Sequence, residues 1–198
     1  NPVDRIELLK GIQKPGRYTG GEWNSIHKSS SSVKTRIALV FPDIYEIGMS
    51  YLGQKILYSK INAHPDYAAE RVFTPWIDFE KRLKETESPL CSLESDTPLR
   101  SFDIIGFSLL YELNYSNVLT ILDLGGVPLK SRDRDSGHPL VIAGGPAAFN
   151  PEPVAEIFDA FLIGDGEEAV FEILELWAEL SKKDIEKNRT RMLGRLSK

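Results

Sequence analysis

The sequence predicts a three-layered α/β fold, a doubly wound five-stranded parallel sheet with helices on both faces. Three observations predict it. Short, nearly continuous apolar runs recur along the chain, as strands buried on both faces require. Stretches with helical periodicity lie between several of them. The runs end abruptly at proline or glycine, where strand gives way to turn.

The elements follow in order. Arg36-Ile-Ala-Leu-Val-Phe41 is a first strand, closed by Pro42. A helix is expected from Ser50 to Asn62, with Leu52, Ile56 and Leu57 on one side. Arg71-Val-Phe-Thr74 reads as a short strand before Pro75, Ile77–Glu85 as a modest helix, and Cys91–Arg100 as loop. Asp103–Leu109 is a buried strand. Tyr115, Val118, Leu119 and Leu122 then repeat at i, i+3, i+4 and i+7, so a helix is expected, stopped by Gly125, Gly126 and Pro128. Pro139–Ala143 is strand again, and Phe158–Ile163 the fifth. Val170, Ile173, Leu174 and Trp177 mark a last amphipathic helix, where Asp165 and Glu168 have capping-box spacing.

Strands followed by crossovers imply a parallel sheet covered on both faces. The order 2-1-3-4-5, flavodoxin-like (Rossmann-like), fits the count and puts a switch point between strands one and three. Ile37–Phe41, Ile104–Ser108, Leu140–Ala143 and Ala160–Ile163 are expected as adjacent central strands.

The 198 residues suit one domain with a sizeable core. Residues 1–33 read as an N-terminal arm and linker, 34–181 as the domain, and 182–198 as a basic charged linker. That last segment holds seven basic residues and two acids, so its net +5 leaves −10 on the remainder of a chain of net −5. Such an acidic body argues against general nucleic-acid binding. No apolar run approaches the roughly 20 residues of a membrane span. With no signal-like start, a cytoplasmic location is expected. Cys91 is the lone cysteine, so this chain cannot by itself build a disulfide framework, a zinc knuckle or an iron–sulfur site.

In such folds ligands sit at the carboxyl ends of the strands. Here strand one ends in Asp43-Ile-Tyr-Glu-Ile-Gly48, strand four in Gly144-Gly145 and strand five in Gly164-Asp-Gly166. Glycines there let a ligand approach the backbone, or simply make tight turns. A side chain placed at Gly145 is expected to project into the cleft. Gly164-x-Gly166-x-x-Ala169 formally matches a dinucleotide fingerprint, but Asp165, Glu167 and Glu168 crowd the helix start where a pyrophosphate would sit. Ser108 has no G-x-S-x-G elbow around it. A phospho-receiver site also fails, because strand three ends in Ser108-Leu109 and strand five in Gly164, without the required Asp and Lys.

Asp43-x-Tyr45-x-x-Gly48 resembles the D-x-H-x-x-G motif of cobalamin-binding domains, with tyrosine in place of the axial histidine. Gly106-Phe-Ser108-Leu-Leu110 is similar to that family's serine-bearing loop, and Gly144-Gly145 and Gly164-x-Gly166 to its small-residue loops. Gly-Gly-Pro146 with Ile-Gly-Asp-Gly-Glu167 resembles the cobalamin-binding-type domains fused to radical-SAM enzymes. Lys14–Glu22 and Phe149–Pro153 resemble one radical-SAM family whose barrel follows this region.

The resemblance implies an accessory domain holding base-off, His-off cobalamin. Asp43, Tyr45, Gly48, Ser108, Leu110, Gly144, Gly145, Gly164 and Gly166 are its cofactor-binding residues, with no catalytic or metal-ligating residue. S-adenosylmethionine and a 4Fe–4S cluster would belong to the downstream barrel, the domain's expected partner. The C-x-x-x-C-x-x-C cluster motif does not occur in this chain. Two alternatives stand beside this reading. Tyr45 can be an aromatic plug, and the domain a degenerate one that only docks the barrel or a macromolecular partner, with Phe149, Tyr111 and Tyr45 bulky near the cleft.

Overall fold

The computed structural model describes residues 5–179 and 185–196. Five strands, β1 (Thr35–Phe41), β2 (Tyr67–Phe73), β3 (Ile104–Ser108), β4 (Leu140–Gly144) and β5 (Ala160–Leu162), form one sheet in the order β2-β1-β3-β4-β5. Every pairing is parallel. The register runs from Thr35↔Tyr67 to Phe41↔Phe73, then through Ile37↔Ile104, Ile104↔Leu140 and Ile142↔Ala160. The expected α/β fold is the one observed, with β5 as an outer rather than a central strand.

Seven α-helices lie among the described residues: α1 (Arg5–Leu9), α2 (Tyr45–Gly48), α3 (Leu52–Ala63), α4 (Ile77–Glu85), α5 (Tyr115–Leu124), α6 (Gly166–Glu179) and α7 (Ile185–Leu196). The alternation along β1 sorts them into layers. Ile37 and Leu39 face a core with Tyr58, Ile61, Val170, Ile173, Leu174 and Met192 of α3, α6 and α7. Ala38 and Val40 face the opposite core with Phe79, Leu83, Val118, Ile121 and Leu122 of α4 and α5. The arm joins that second core: Ile12 and Tyr18 are buried, and Tyr18 stacks on Phe79 with ring centroids 4.1 Å apart.

Three readings of the sequence are corrected. Leu52 is exposed and Ile56 and Leu57 are half-buried, while α3 buries Gln54, Tyr58, Ile61 and Asn62. Its polar pair is buried because it bonds strand backbone. Gln54 Nε2 donates to Leu39 O at 2.9 Å, and Asn62 bridges the N–H and carbonyl of Ala69. β2 begins four residues before Arg71 because Glu70 and Arg71 are buried with counter-charges, Arg36 at 2.5 Å and Glu94 at 2.6 Å. β5 is shorter than the expected strand Phe158–Ile163, whose Ile163 is exposed and whose Phe158 packs edge-on to Phe107. Within 182–198, Ile185–Leu196 is helical, with Met192 buried and Arg195 paired to Glu179; residues 182–184, 197 and 198 lie outside the described residues.

β5 is anchored by a fully buried ion pair, Arg134 Nη2 to Asp159 Oδ1 at 3.1 Å. Asp159 Oδ2 also accepts from Val141 N at 2.7 Å, and Arg134 donates to the carbonyls of Pro128 and Ile157. Removing one buried partner strands the other. Asp159→Ala is therefore expected to cost about 3–5 kcal/mol, read as a lower urea midpoint at unchanged slope. A shift equivalent to less than about 1 kcal/mol, the scale of exposed pairs, would show that the pair does not hold the β4–β5 end.

Candidate functional site

A slot of about 470 Å³ opens at the carboxyl edge of the sheet, between the sheet and helices α3 and α6. Ile37, Leu39 and Ile142 supply its sheet side, and Leu57, Val170 and Ile173 its helix side. Five sequence-predicted residues, Ser108, Gly144, Gly145, Gly164 and Gly166, line it together. Tyr51, Phe149, Asp165 and Glu167 line it as well.

The glycines have separable reasons. Gly145 has φ +101°, and a Cβ there would come 2.7 Å from the carbonyl oxygen of Leu109. The loops after β3 and β4 are stitched at this point, Leu109 N donating to Gly144 O at 2.8 Å and Ala147 N to Leu109 O at 3.0 Å. A side chain at Gly145 thus meets backbone rather than projecting into the cleft, which corrects the sequence expectation. Gly164 has φ +115° with open space around it, so its backbone alone favours glycine. A Cβ at Gly166 would sit 3.7 and 3.8 Å from Leu162 and Leu57, both slot residues, in ordinary contact.

Asp43, Tyr45, Gly48 and Leu110 do not line the slot. Tyr45 and Leu110 pack on a separate cluster of Phe41, Phe73 and Leu93. A Cβ on Gly48 would meet the Phe73 ring at 2.3 Å, so this glycine lets α2 close over the ring. Asp43 accepts from its neighbour Ile44 N at 2.8 Å and from Tyr111 OH at 2.9 Å, tying the β1 and β3 loops together.

The arm straps this corner. Tyr45 OH donates to Glu22 Oε1 at 2.9 Å, while Glu22 Oε2 is buried without a hydrogen-bond partner among the described residues. Arg17 and Lys14 both pair with Glu46, Arg17 lies over the Trp76 ring, and Trp76 N donates to Tyr18 OH. Burial, then the bond to Glu22, push the Tyr45 phenol up to about 12. A neutral phenol engaged as a donor is a poor metal ligand.

No histidine replaces it. His64 follows α3 and stacks on Tyr67 at the amino end of β2, and His138 precedes β4 and bonds Asp135. His27 adjoins Lys28, whose ammonium reaches the carbonyls of His64 and Tyr67 at that same edge. A five-residue strand, about 17 Å long, separates this edge from the slot mouth.

Under the arm lies a smaller cavity of about 220 Å³, lined in part by Cys91, whose thiol burial pushes up to about 12. Such burial disfavours the thiolate, the form in which a cysteine acts as a nucleophile. Among the described residues, no group of three or more His, Cys, Asp or Glu is placed to hold a metal, and no helix is long and apolar enough to cross a membrane.

Sequence reasoning missed Glu22, because nothing in a turn-rich arm signals which loop it reaches. It also missed Tyr51 and Leu57 as slot residues, since their signature is that of ordinary core.

The fold and the slot together define a doubly wound α/β domain with an apolar cleft at its strand ends. Residues 53–198 match the model of the N-terminal region of radical SAM proteins, and the chain belongs to that family. It is similar to the uncharacterized protein MJ0966 of Methanocaldococcus jannaschii, 25% identical over 130 residues that cover 65% of this chain and 23% of that protein. The chain thus spans about a quarter of that relative's length. No solved structure matches it.

The strap makes a spectroscopic prediction. Because the folded phenol of Tyr45 titrates above its unfolded value, its stabilisation is present below about pH 10 and is lost as pH rises towards 12. Glu22→Gln should lower the Tyr45 midpoint, seen as earlier tyrosinate absorbance that is missing in Tyr45→Phe. An unchanged alkaline titration would show that Glu22 does not hold the phenol.

Proposed function

We propose that this domain is the cobalamin-binding-type module of a radical-SAM protein, receiving the nucleotide tail of a base-off, His-off cobalamin in the α3–α6 slot. The observation that carries the reading is the slot itself, which joins the small-residue loops after β4 and β5 with Ser108 over an apolar floor. Those residues fit a flat tail. Gly144, Gly145, Gly164 and Gly166 offer backbone access, and Ser108 a hydroxyl. Asp43, Tyr45, Gly48 and Leu110 are assigned to the neighbouring surface that the corrin would cover. The bonded phenol of Tyr45 fits a cobalt without a protein ligand from this loop.

When bound, the corrinoid would supply a carrier of alkyl groups or electrons to the parent's chemistry. S-adenosylmethionine and a 4Fe–4S cluster belong, on this reading, to another part of that cytoplasmic parent, a radical-SAM barrel. A second reading is favoured by Ile47, Leu52, Tyr111, Leu113, Phe149 and Ile163, all exposed on the loops and helix start beyond the strands. Such an apolar edge suits docking of the barrel or of a macromolecular partner without any cofactor.

Titration with hydroxocobalamin, followed by its visible spectrum, tests the first reading. Binding without an imidazole-ligated spectrum is expected, and cobinamide, which lacks the tail, should bind at least about tenfold more weakly, 1.4 kcal/mol. Gly166→Leu, whose side chain meets Leu57 and Leu162 without backbone strain, should weaken cobalamin by a similar factor at unchanged unfolding midpoint. Equal affinity for cobinamide would remove the tail from the slot. No binding at millimolar ligand would leave the docking reading.

A further inference from the structure

We infer that Asp165 and Glu167 make the slot selective against ligands that end in a free phosphate, favouring one that presents a neutral or cationic donor at the opening. The inference rests on the slot being the ligand site and names what that site accepts.

The fold would ordinarily suggest the opposite. The slot abuts the first turn of α6, a 14-residue helix whose amino end carries roughly half a positive charge and exposes backbone donors to an anion. Here the residue before that helix is Asp165, and Glu167 is its second residue. Both line the slot, Asp165 exposed and Glu167 half-buried. Two carboxylates outweigh the helix end and reverse the sign of the field at the opening.

The rest of the lining supplies no compensation. Among the described residues no lysine or arginine lines the slot, and its polar side chains besides the two acids are the hydroxyls of Ser108 and Tyr51. A phosphate monoester, carrying about −1.5 to −2 at neutral pH, would enter an apolar cleft beside two like charges with no cation to meet it. A neutral or cationic group at the same place gains from both acids. A cobalamin tail satisfies the rule better than a nucleotide does, because its phosphate is a diester with one charge.

The test compares α-ribazole, the nucleoside of the tail, with α-ribazole phosphate, which adds only the monoester. The wild-type chain should bind the nucleoside at least about tenfold more tightly at low salt, with the gap narrowing at 1 M salt as the Debye length falls to about 3 Å. Asp165→Asn with Glu167→Gln should bring the two affinities within about threefold. Asparagine keeps the capping capacity of the first position, so the double variant should stay folded and lose only the roughly 0.3–1 kcal/mol that each charge contributes at a helix start.

Equal affinities in the wild type, or tighter binding of the phosphate, overturn the inference while leaving the slot as the ligand site. Failure of both probes to bind at millimolar concentration overturns it together with the slot. Selective binding of the nucleoside by a chain that does not bind hydroxocobalamin upholds the inference and sinks the cobalamin reading.

Discussion

A parallel sheet forces each strand to return over a face before the next can begin, so all five strands end at the same edge. Everything functional in this chain descends from that constraint. Asp43, Trp76, Tyr111, Phe149 and Asp165 are far apart in sequence, yet each follows a different strand and reaches that edge. The faces are closed by helices, α3 with α6 and α7, which follow the last strand, on one side and α4 and α5 on the other. The edge is left as the surface where the chain departs from close packing, and the slot forms where α3 and α6 diverge around the ends of β1, β3, β4 and β5.

The two outer strands are treated differently. β2 is covered by the segment 91–98 and the arm, Leu93 N donating to Arg71 O at 2.9 Å. Its charged residues are part of that cover. Glu70 accepts from Ser92, Ser95 and Arg36, which hold it below the usual carboxylate range despite burial. Glu94, more deeply buried, is pushed up by desolvation although Arg71 opposes it. A strand edge dressed in satisfied charges offers no template for another chain. β5 has only three residues and is pinned by Asp159 just before it.

How much of this was legible follows from what each residue interacts with. β1, β3 and β4 could be read because their apolar runs are the local imprint of burial on both faces. Ile77–Glu85 was read to the residue, its apolar positions and flanking proline agreeing. β2 was half-hidden because Glu70 and Arg71 look like surface residues until their partners, distant in sequence, are known. The face of α3 was misread for the same reason, Gln54 and Asn62 being buried by backbone bonds that no periodicity records. At the site, glycine marked the loops after β4 and β5, which line the slot. It did not distinguish Gly145 and Gly48, which are held by packing, from Gly166, which borders open volume. Tyr45 stood out in sequence, while the Glu22 that fixes it did not.

The arm from Gln13 to Glu22 is, in effect, a ligand that cannot diffuse away. It presents to the domain a stacked aromatic at Phe79, a backbone donor to Asp78, a guanidinium to Glu46 and a carboxylate to Tyr45. A free peptide with the same groups would have to overcome the entropy of association. Tethered a dozen residues from β1, it sees an effective concentration in the millimolar range or above. Any release of the strap would therefore be a unimolecular event, independent of protein concentration. The loops after β1 and β2 are thereby tied together by contacts that this chain supplies itself.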